Sequence, residues 1–409
     1  MKVLILATDI FTRGGIARYT ATLAASLGRV LGRDNVDVLC FFDWGHQGEQ
    51  PAEFRLLGTV SSRTGSDALA RLRFLGKAAR AGAGGYDLVI ANHVALAPVA
   101  ALLKRAFGTP YWVACHSIEI WWGTTRARHA ALKKADLILP VSGYTAEVVQ
   151  HMKGIDSGRV KVLYNAIPEE LTLALVNGNS KGPAQAKGAR VGHPHKTNAA
   201  PMMLSVSALV RGNEFKGIDT VIEALPRVLE RVPDLQYVVV GEGEIRPKLE
   251  AFAVKAGVAA NVRFVGEVPD AELVELYRQC DVFVLPSRGQ ELRGAIGGEG
   301  FGRVYVEAAL AGKPVIGSCT GGAREAVLDG KTGFLVDPGS VDDVAAAVLA
   351  LLSDPERAAA MGAAGRSWAL ENFSEQALTE SLCELLRPYG LERRGTPEMV
   401  AAGMAKETV

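Results

Sequence analysis

Six short apolar runs before residue 170 and six after residue 200 alternate with longer stretches of helical period. The first six are Val3–Ala7, Val36–Phe41, Leu88–Ala91, Tyr111–Cys115, Leu137–Pro140 and Val160–Leu163. The second six are Met203–Ser207, Gln236–Val240, Val262–Val265, Val282–Leu285, Val315–Gly317 and Gly333–Val336. They are near-continuous rather than alternating, as strands buried on both faces must be. Strands that take turns with helices imply a parallel sheet covered on both sides. A chain of 409 residues is too long for one ordinary core and comfortable for two. The expectation is an α/β protein with two Rossmann-like, doubly wound domains facing a central cleft.

Domain limits follow from composition. Residues 1–170 form the first domain and 201–373 the second. The stretch 171–200 is a linker: from Val176 to Pro201 it is rich in glycine, lysine and small residues without periodicity. Residues 374–409 carry a helix, Glu375 to Leu386, packing back toward the first domain, and then a small-residue tail. His193 and His195 in the linker read as solvated loop histidines, and no metal site is expected.

Composition excludes several classes. There are 45 basic and 44 acidic residues, a balance that argues against a nucleic-acid partner. The cysteines Cys40, Cys115, Cys280, Cys319 and Cys383 are odd in number, far apart and without a CxxC, which fits a reduced, cytoplasmic compartment. No apolar run reaches transmembrane length, and Val3–Ala7 is too short for a signal-peptide core.

The densest functional signal is Glu299-Gly-Phe-Gly-Arg-Val-Tyr-Val-Glu307. A helix beginning near Phe301 would offer unpaired amides and a positive dipole end to an anion. Glu299 would stand at that mouth, and Glu307 almost two turns in. Two carboxylates around a phosphate-binding helix end suit a diphosphate flanked by hydroxyl-rich rings, as in a nucleotide sugar. A buried glycine pair with two unrelated glutamates reads equally well from this stretch alone.

Loops at strand ends add to it. Gly14-Gly15 lies between the first strand and an amphipathic helix, without the GxGxxG and acidic residue of a dinucleotide site. Arg211 and Lys216 follow Met203–Ser207, at the sheet edge where open α/β folds bind ligands. Two cations there can neutralise a diphosphate and stabilise it as a leaving group. Gly241-Glu242-Gly243 and Ser318-Cys-Thr-Gly-Gly322 make further ligand-type turns and mark this half as the nucleotide side.

Together, Glu299 to Glu307, Arg211 with Lys216, Gly14-Gly15 and Thr320-Gly-Gly-Ala-Arg-Glu325 resemble the retaining glycosyltransferases of the GT-B fold. The chain is most similar to the glycogen-synthase-like and bacterial mannosyl- and glucosyltransferase family, family 4, group 1, from Met1 to about Phe373. The segment Val160 to Pro168 resembles the end of that family's first domain, with Ala166 and Pro168 where Asn-Gly-Val-Asp is common.

The resemblance implies that Arg211 and Lys216 hold the donor diphosphate and Glu307 the ribose hydroxyls. It gives the transferred sugar and phosphate to Glu299, Phe301 and Gly302, and sets Gly14, Gly15 and Gly241 beside the donor. His116 matches a histidine that contacts the sugar, although a strand-end histidine can equally be structural. Glu299, His116, Arg211 and Lys216 are thus the expected catalytic residues. The implied reaction retains anomeric configuration through a same-face displacement, with no metal and no cofactor beyond the nucleotide-sugar substrate.

Up to Glu170 the chain has 20 basic and 14 acidic residues, a net of +6. Arg71, Arg73, Lys77 and Arg80 share a helical stretch with Leu72, Phe74 and Leu75, and Trp121-Trp122 precedes Arg126, Arg128, Lys133 and Lys134. Such mixtures describe an ordinary solvated helix face, or a surface that rests on anionic lipid. The expected acceptor is a glycan or lipid-linked sugar of the cell envelope or an exopolysaccharide, met at the inner face of the plasma membrane. The stretch Arg288 to Gly294 resembles users of GDP-mannose, with UDP-glucose as the other donor. The competing functions are a GT-B-fold sugar-nucleotide epimerase and a non-catalytic sugar-nucleotide binder. The paired glutamates with both cations speak against each.

Overall fold

The computed structural model describes residues 1–12, 14–42, 51–60, 68–121, 123–177, 200–292 and 295–390. Most of the linker with His193 and His195, Trp122, and the tail from 391 lie outside the described residues.

The first half holds strands β1 (Val3–Ala7), β2 (Val36–Cys40), β3 (Arg55–Gly58), β4 (Leu88–Ala91), β5 (Tyr111–Cys115) and β6 (Leu137–Pro140). Its helices are α1 (Gly15–Leu31), α2 (Ala68–Gly82), α3 (Ala97–Phe107), α4 (Ile118–Trp121), α5 (Arg126–Leu132), α6 (Gly143–Gln150) and α7 (Glu169–Asn177). All strand pairs are parallel, in the order β3-β2-β1-β4-β5-β6. Two sequence expectations change here. Edge strand β3 is only partly buried and carries no apolar run, so its pattern is silent. The apolar run Val160–Leu163 is not a strand. Val160 makes one bridge to Ile138, and beyond it Lys161 and Leu163 give their amides to the carbonyls of Ile138 and Pro140.

The second half repeats the plan. Its strands are β7 (Met202–Val206), β8 (Gln236–Val240), β9 (Val262–Gly266), β10 (Val282–Val284), the hairpin β11 (Gln290–Leu292) and β12 (Ala295–Gly297), β13 (Val315–Ser318) and β14 (Gly333–Val336). Helices α8 (Ile218–Leu229), α9 (Arg246–Lys255), α10 (Asp270–Gln279), α11 (Arg303–Leu310), α12 (Ala323–Ala326), α13 (Val341–Leu352), α14 (Pro355–Phe373) and α15 (Glu375–Leu386) complete it. The sheet order is β14-β13-β10-β7-β8-β9, which read from its other end repeats the first half's topology. In each sheet the chain reverses its direction of winding at one place, between β1 and β4 and between β7 and β10. Crevices beyond the carboxyl ends of strands at such points are where this architecture binds ligands.

The halves are joined by packing as well as by the chain. The rings of Phe301 and Phe373 of the second half pack tilted or edge-on against Tyr164 of the first and each other, with centroids 5.0 to 5.9 Å apart. Helix α15 returns to the first half, where Glu375 pairs with Arg29 at 2.9 Å. Beyond it, the Tyr389 hydroxyl accepts from Trp112 Nε1 at 3.0 Å. Among the described residues no helix is long and apolar enough to cross a membrane.

Candidate active site

Lys216 owes its position to its neighbours. Gly217 has φ +75, and a Cβ there would lie 2.1 Å from the Pro286 carbonyl oxygen, so only glycine lets this loop meet the end of β10. Arg288 pins the same loop. Its amide donates to Phe215 O at 2.6 Å, and its guanidinium to Asp219 at 2.9 Å and Thr220 Oγ1 at 3.0 Å. As a result Lys216 Nζ sits 2.6 Å from Glu299 Oε2, with both side chains mostly buried. Ser287 Oγ donates to that same oxygen at 3.2 Å. Tyr305, whose hydroxyl donates to Leu285 O at 2.7 Å, lies just behind. Burial, and then the Glu299 charge, push its phenol well above the ordinary tyrosine value.

Helix α11 starts at Arg303, two residues later than the sequence suggests, because Gly302 takes φ +86 at its N-cap. A Cβ on Gly302 would fall 2.3 Å from the Tyr305 ring. No side chain caps this end, so its first amides stay available beside Lys216 and Glu299. Glu307 is buried on the same helix, with Oε2 accepting from the Tyr277 hydroxyl at 2.9 Å. Its Oε1 lies 3.8 Å from Arg303, whose other nitrogen donates to Asn165 Oδ1 and Ala166 O, each at 3.2 Å. Burial lowers the Arg303 pKa below its usual value.

His116 directly follows β5 and is buried. Its Nε2 lies 2.8 Å from the carbonyl of Asn92, which can only accept, so Nε2 carries the proton. Burial lowers its pKa and favours the neutral ring, which leaves Nδ1 as the acceptor. The Tyr19 ring meets it edge-on at 5.0 Å. The two halves touch here: a Cβ on Gly300 would be 2.8 Å from His116 O, so the missing side chain is what allows the contact.

Gly14 and Gly15, at the start of α1, are exposed. Gly14 has φ −65, so neither turn geometry nor packing demands glycine of it: a Cβ there would meet only Thr12 Oγ1 at 3.5 Å, and one on Gly15 nothing within 4 Å. Open space over a helix start is what a close-approaching ligand needs.

The structure thus brings together Lys216, Glu299 and Gly302, places Glu307 further along the same helix, and sets His116 against the Glu299 loop. Three residues stand apart. Arg211 is exposed, and its amide bonds Glu244 Oε2 at 3.4 Å. Gly241 has φ +135, and a Cβ there would be 1.8 Å from Ser207 O, so loop packing already accounts for it. The Phe301 ring is in the aromatic core, which leaves only its backbone to face a ligand. Sequence reasoning missed Ser287, Tyr277 and Arg303 altogether and took Arg288 only as a donor marker. The signal for Ser287 and Arg288 was their place just after β10, at the reversal point. Among the described residues no three His, Cys, Asp or Glu side chains group as metal ligands.

Two facing Rossmann-like domains with a site at their reversal points define a GT-B-fold protein, and solved structures agree. Sucrose-phosphate synthase from Thermosynechococcus elongatus superposes with TM-score 0.72 at 21% identity, covering 95% of this chain and 99% of that one. HepE of Anabaena, solved with UDP, superposes with TM-score 0.70 at 21% identity over 95% and 100%. The family model "Glycosyl transferases group 1" matches residues 194–368, and "Glycosyltransferase Family 4" matches 13–171. A Mycolicibacterium smegmatis relative is a GDP-mannose-dependent alpha-(1-6)-phosphatidylinositol monomannoside mannosyltransferase. It is 35% identical over 74% of this chain and 77% of its own length. A Corynebacterium glutamicum enzyme acting on the monoacylated form is 30% identical over 71% and 74%. The chain belongs to the group 1 glycosyltransferases of family 4, and it is a glycosyltransferase.

Proposed function

We propose that this enzyme moves mannose from GDP-mannose to a lipid-linked glycan acceptor of the cell envelope, with retention of anomeric configuration and without a metal. The observation that carries the reading is the Lys216–Glu299 contact of 2.6 Å at the uncapped mouth of α11, with Glu307 on the same helix. The relatives' names supply the donor and the acceptor class.

Cleavage of the sugar–phosphate bond leaves positive charge at the anomeric carbon and negative charge on the departing diphosphate. The Lys216 ammonium and the α11 amides meet the negative charge, an effect worth about 3–4 kcal/mol per well-placed donor. When the diphosphate arrives, Lys216 exchanges part of its bond to Glu299 for a phosphate oxygen. Glu299 then turns its freed oxygen toward a sugar hydroxyl. Glu307 takes the ribose hydroxyls, and Nδ1 of neutral His116 accepts from a hydroxyl of the transferred sugar. The leaving phosphate removes the acceptor's proton on the face from which it departs. Arg211, in the open loop, reaches the diphosphate only once a donor is bound, and the backbones of Gly14, Gly15, Phe301 and Gly302 line its path.

Helix α2 supports a lipid surface as partner. Leu69 and Leu72 are 50% and 65% exposed, next to the exposed Arg71, Arg73, Lys77 and Arg80. Phe74 and Ala78 anchor its other face. The test of function is GDP release from GDP-mannose with and without a phosphatidylinositol mannoside, followed by NMR of the product linkage. An α-mannoside made only with acceptor present is the expected result. A β-mannoside, or release of GDP in the presence of the acceptor with no glycosidic product, refutes the reading.

A further inference from the structure

We propose that Glu325 is a positioning residue: its carboxylate latches the two domains shut and so holds the Glu299 loop against His116. Glu325 lies in α12 of the second half, yet both of its oxygens are engaged by the first. Oε2 accepts from the amide of Gly143 at 2.6 Å and Oε1 from the amide of Tyr144 at 2.9 Å. These are the first two amides of α6, which no bond within the helix can satisfy. Ser142 takes the third, accepting from Thr145 N at 3.1 Å. The cap of α6 is therefore assembled from both domains, and the positive end of the helix dipole faces a carboxylate.

The other side of the latch is fixed to the catalytic loop. Trp368 Nε1 donates to the Glu325 carbonyl at 3.2 Å. Burial, and then the nearby Glu325 charge, push the Tyr164 pKa up to about 12. Just before α12, Gly322 donates its amide to Glu299 O at 2.8 Å. A Cβ on Gly322 would sit 2.3 Å from Gly300 O, and one on Gly321 would sit 2.8 Å from Glu299 O. One short path thus runs from the α6 amides through Glu325 and the two glycines to Glu299 and Gly300. It ends on the His116 carbonyl. A rigid contact of this kind biases an open–closed equilibrium rather than the chemistry itself.

The inference rests on Glu299 and His116 being parts of one reacting site, and the experiment separates the two claims. Wild type, Glu325→Ala, Glu325→Gln and Glu325→Asp are compared for GDP-mannose binding, for kcat of transfer, and by small-angle scattering with GDP bound. Alanine is expected to leave donor affinity within about 3-fold, lower kcat by about 10- to 100-fold as the site loosens by an ångström, and enlarge the radius of gyration. Glutamine retains one acceptor and should fall between alanine and wild type. Aspartate retains the charge but is one methylene too short, and should behave like alanine. Gly143→Ala tests the contact from the other domain, with a methyl 3.2 Å from Glu325 Oε2, and should shift compactness and kcat in the same direction. Unchanged scattering and kcat in Glu325→Ala overturns the latch. Equal losses of donor affinity and thermal stability, without expansion, overturn it in favour of a purely structural role. If wild type binds no sugar nucleotide the proposed function fails, while scattering of the unliganded variants still decides the latch.

Discussion

Gly300→Ala is a small change with a defined consequence. The added Cβ would stand 2.8 Å from His116 O and 3.0 Å from Ser117 Cβ, where ordinary contacts begin at 3.4 Å. About 0.6 Å must be found, and the nearest obstacle is backbone rather than a movable side chain. Gly300 is not among the positive-φ glycines, so alanine suits the local conformation. The conflict is between domains and not within either. Overpacking of this kind costs about 1–3 kcal/mol, which corresponds to about 5- to 150-fold in the population of the closed form. The expected result is a kcat for mannosyl transfer reduced about 10- to 100-fold. Donor affinity should stay close to wild type, because Lys216 and Glu307 do not contact Ser117 or His116. The melting temperature should move by less than about 2 °C, since each domain is spared. The assay is steady-state transfer, run beside a GDP-mannose titration and a thermal melt. Wild-type kcat in a well-folded variant would refute the claim that this contact belongs to the reacting state.

Other consequences follow from the same geometry. Lys216→Ala should lower kcat/KM about 100- to 1,000-fold by removing one charged donor from the leaving group, and Lys216→Met should do no better; steady-state kinetics decide it. His93, stacked 6.2 Å from His116, is held by burial at a pKa of about 4 instead of 6.5. The unfolded chain therefore binds protons that the fold refuses. Stability is complete above pH 6.5 and falls toward pH 4 by up to about 1.4 kcal/mol per unit. Thermal melts across this range should show the slope, and His93→Asn should reduce it, leaving the part that buried His116 contributes. Leu69→Ser with Leu72→Ser should weaken flotation on anionic vesicles at low salt while leaving transfer to a soluble acceptor intact. Equal binding of the double variant would sink the lipid surface.

Much of the fold was legible because nine of the twelve strands in the two large sheets have buried centres, and the largely apolar runs that fill them have few other uses. Strand β3 was hidden because an edge strand faces solvent and needs no such run. Val160–Leu163 misled for the complementary reason: an apolar segment can pack beside a sheet and bond it on one side only. At the site, Glu299, Glu307 and Lys216 could be read because their spacing to glycines and strand ends is local. Phe301 shares that motif, but its ring turned to the core, a choice made by Tyr164 and Phe373 from distant parts of the chain. Gly241 looked like a ligand turn and is already required by its approach to Ser207. Glu325 stood in plain view within Thr320-Gly-Gly-Ala-Arg-Glu325. Its partners are backbone amides 182 and 181 residues away in sequence, and an amide leaves no mark in a sequence.

Donor recognition by the α11 mouth is the central claim, and Glu307 is its most direct handle. Alanine there would leave the buried Arg303 without its nearest countercharge, which by itself costs about 3–5 kcal/mol. Glu307→Gln keeps the volume and still accepts from Tyr277. Wild type and this variant should be titrated with GDP-mannose, UDP-glucose and ADP-glucose, following thermal shift and slow donor hydrolysis. GDP-mannose alone should stabilise the wild type and be hydrolysed by it, with its Kd raised about 10- to 100-fold in Glu307→Gln, as for one or two charged hydrogen bonds lost. Equal affinity of the two proteins for GDP-mannose, or no response of the wild type to any of the three donors, would contradict it.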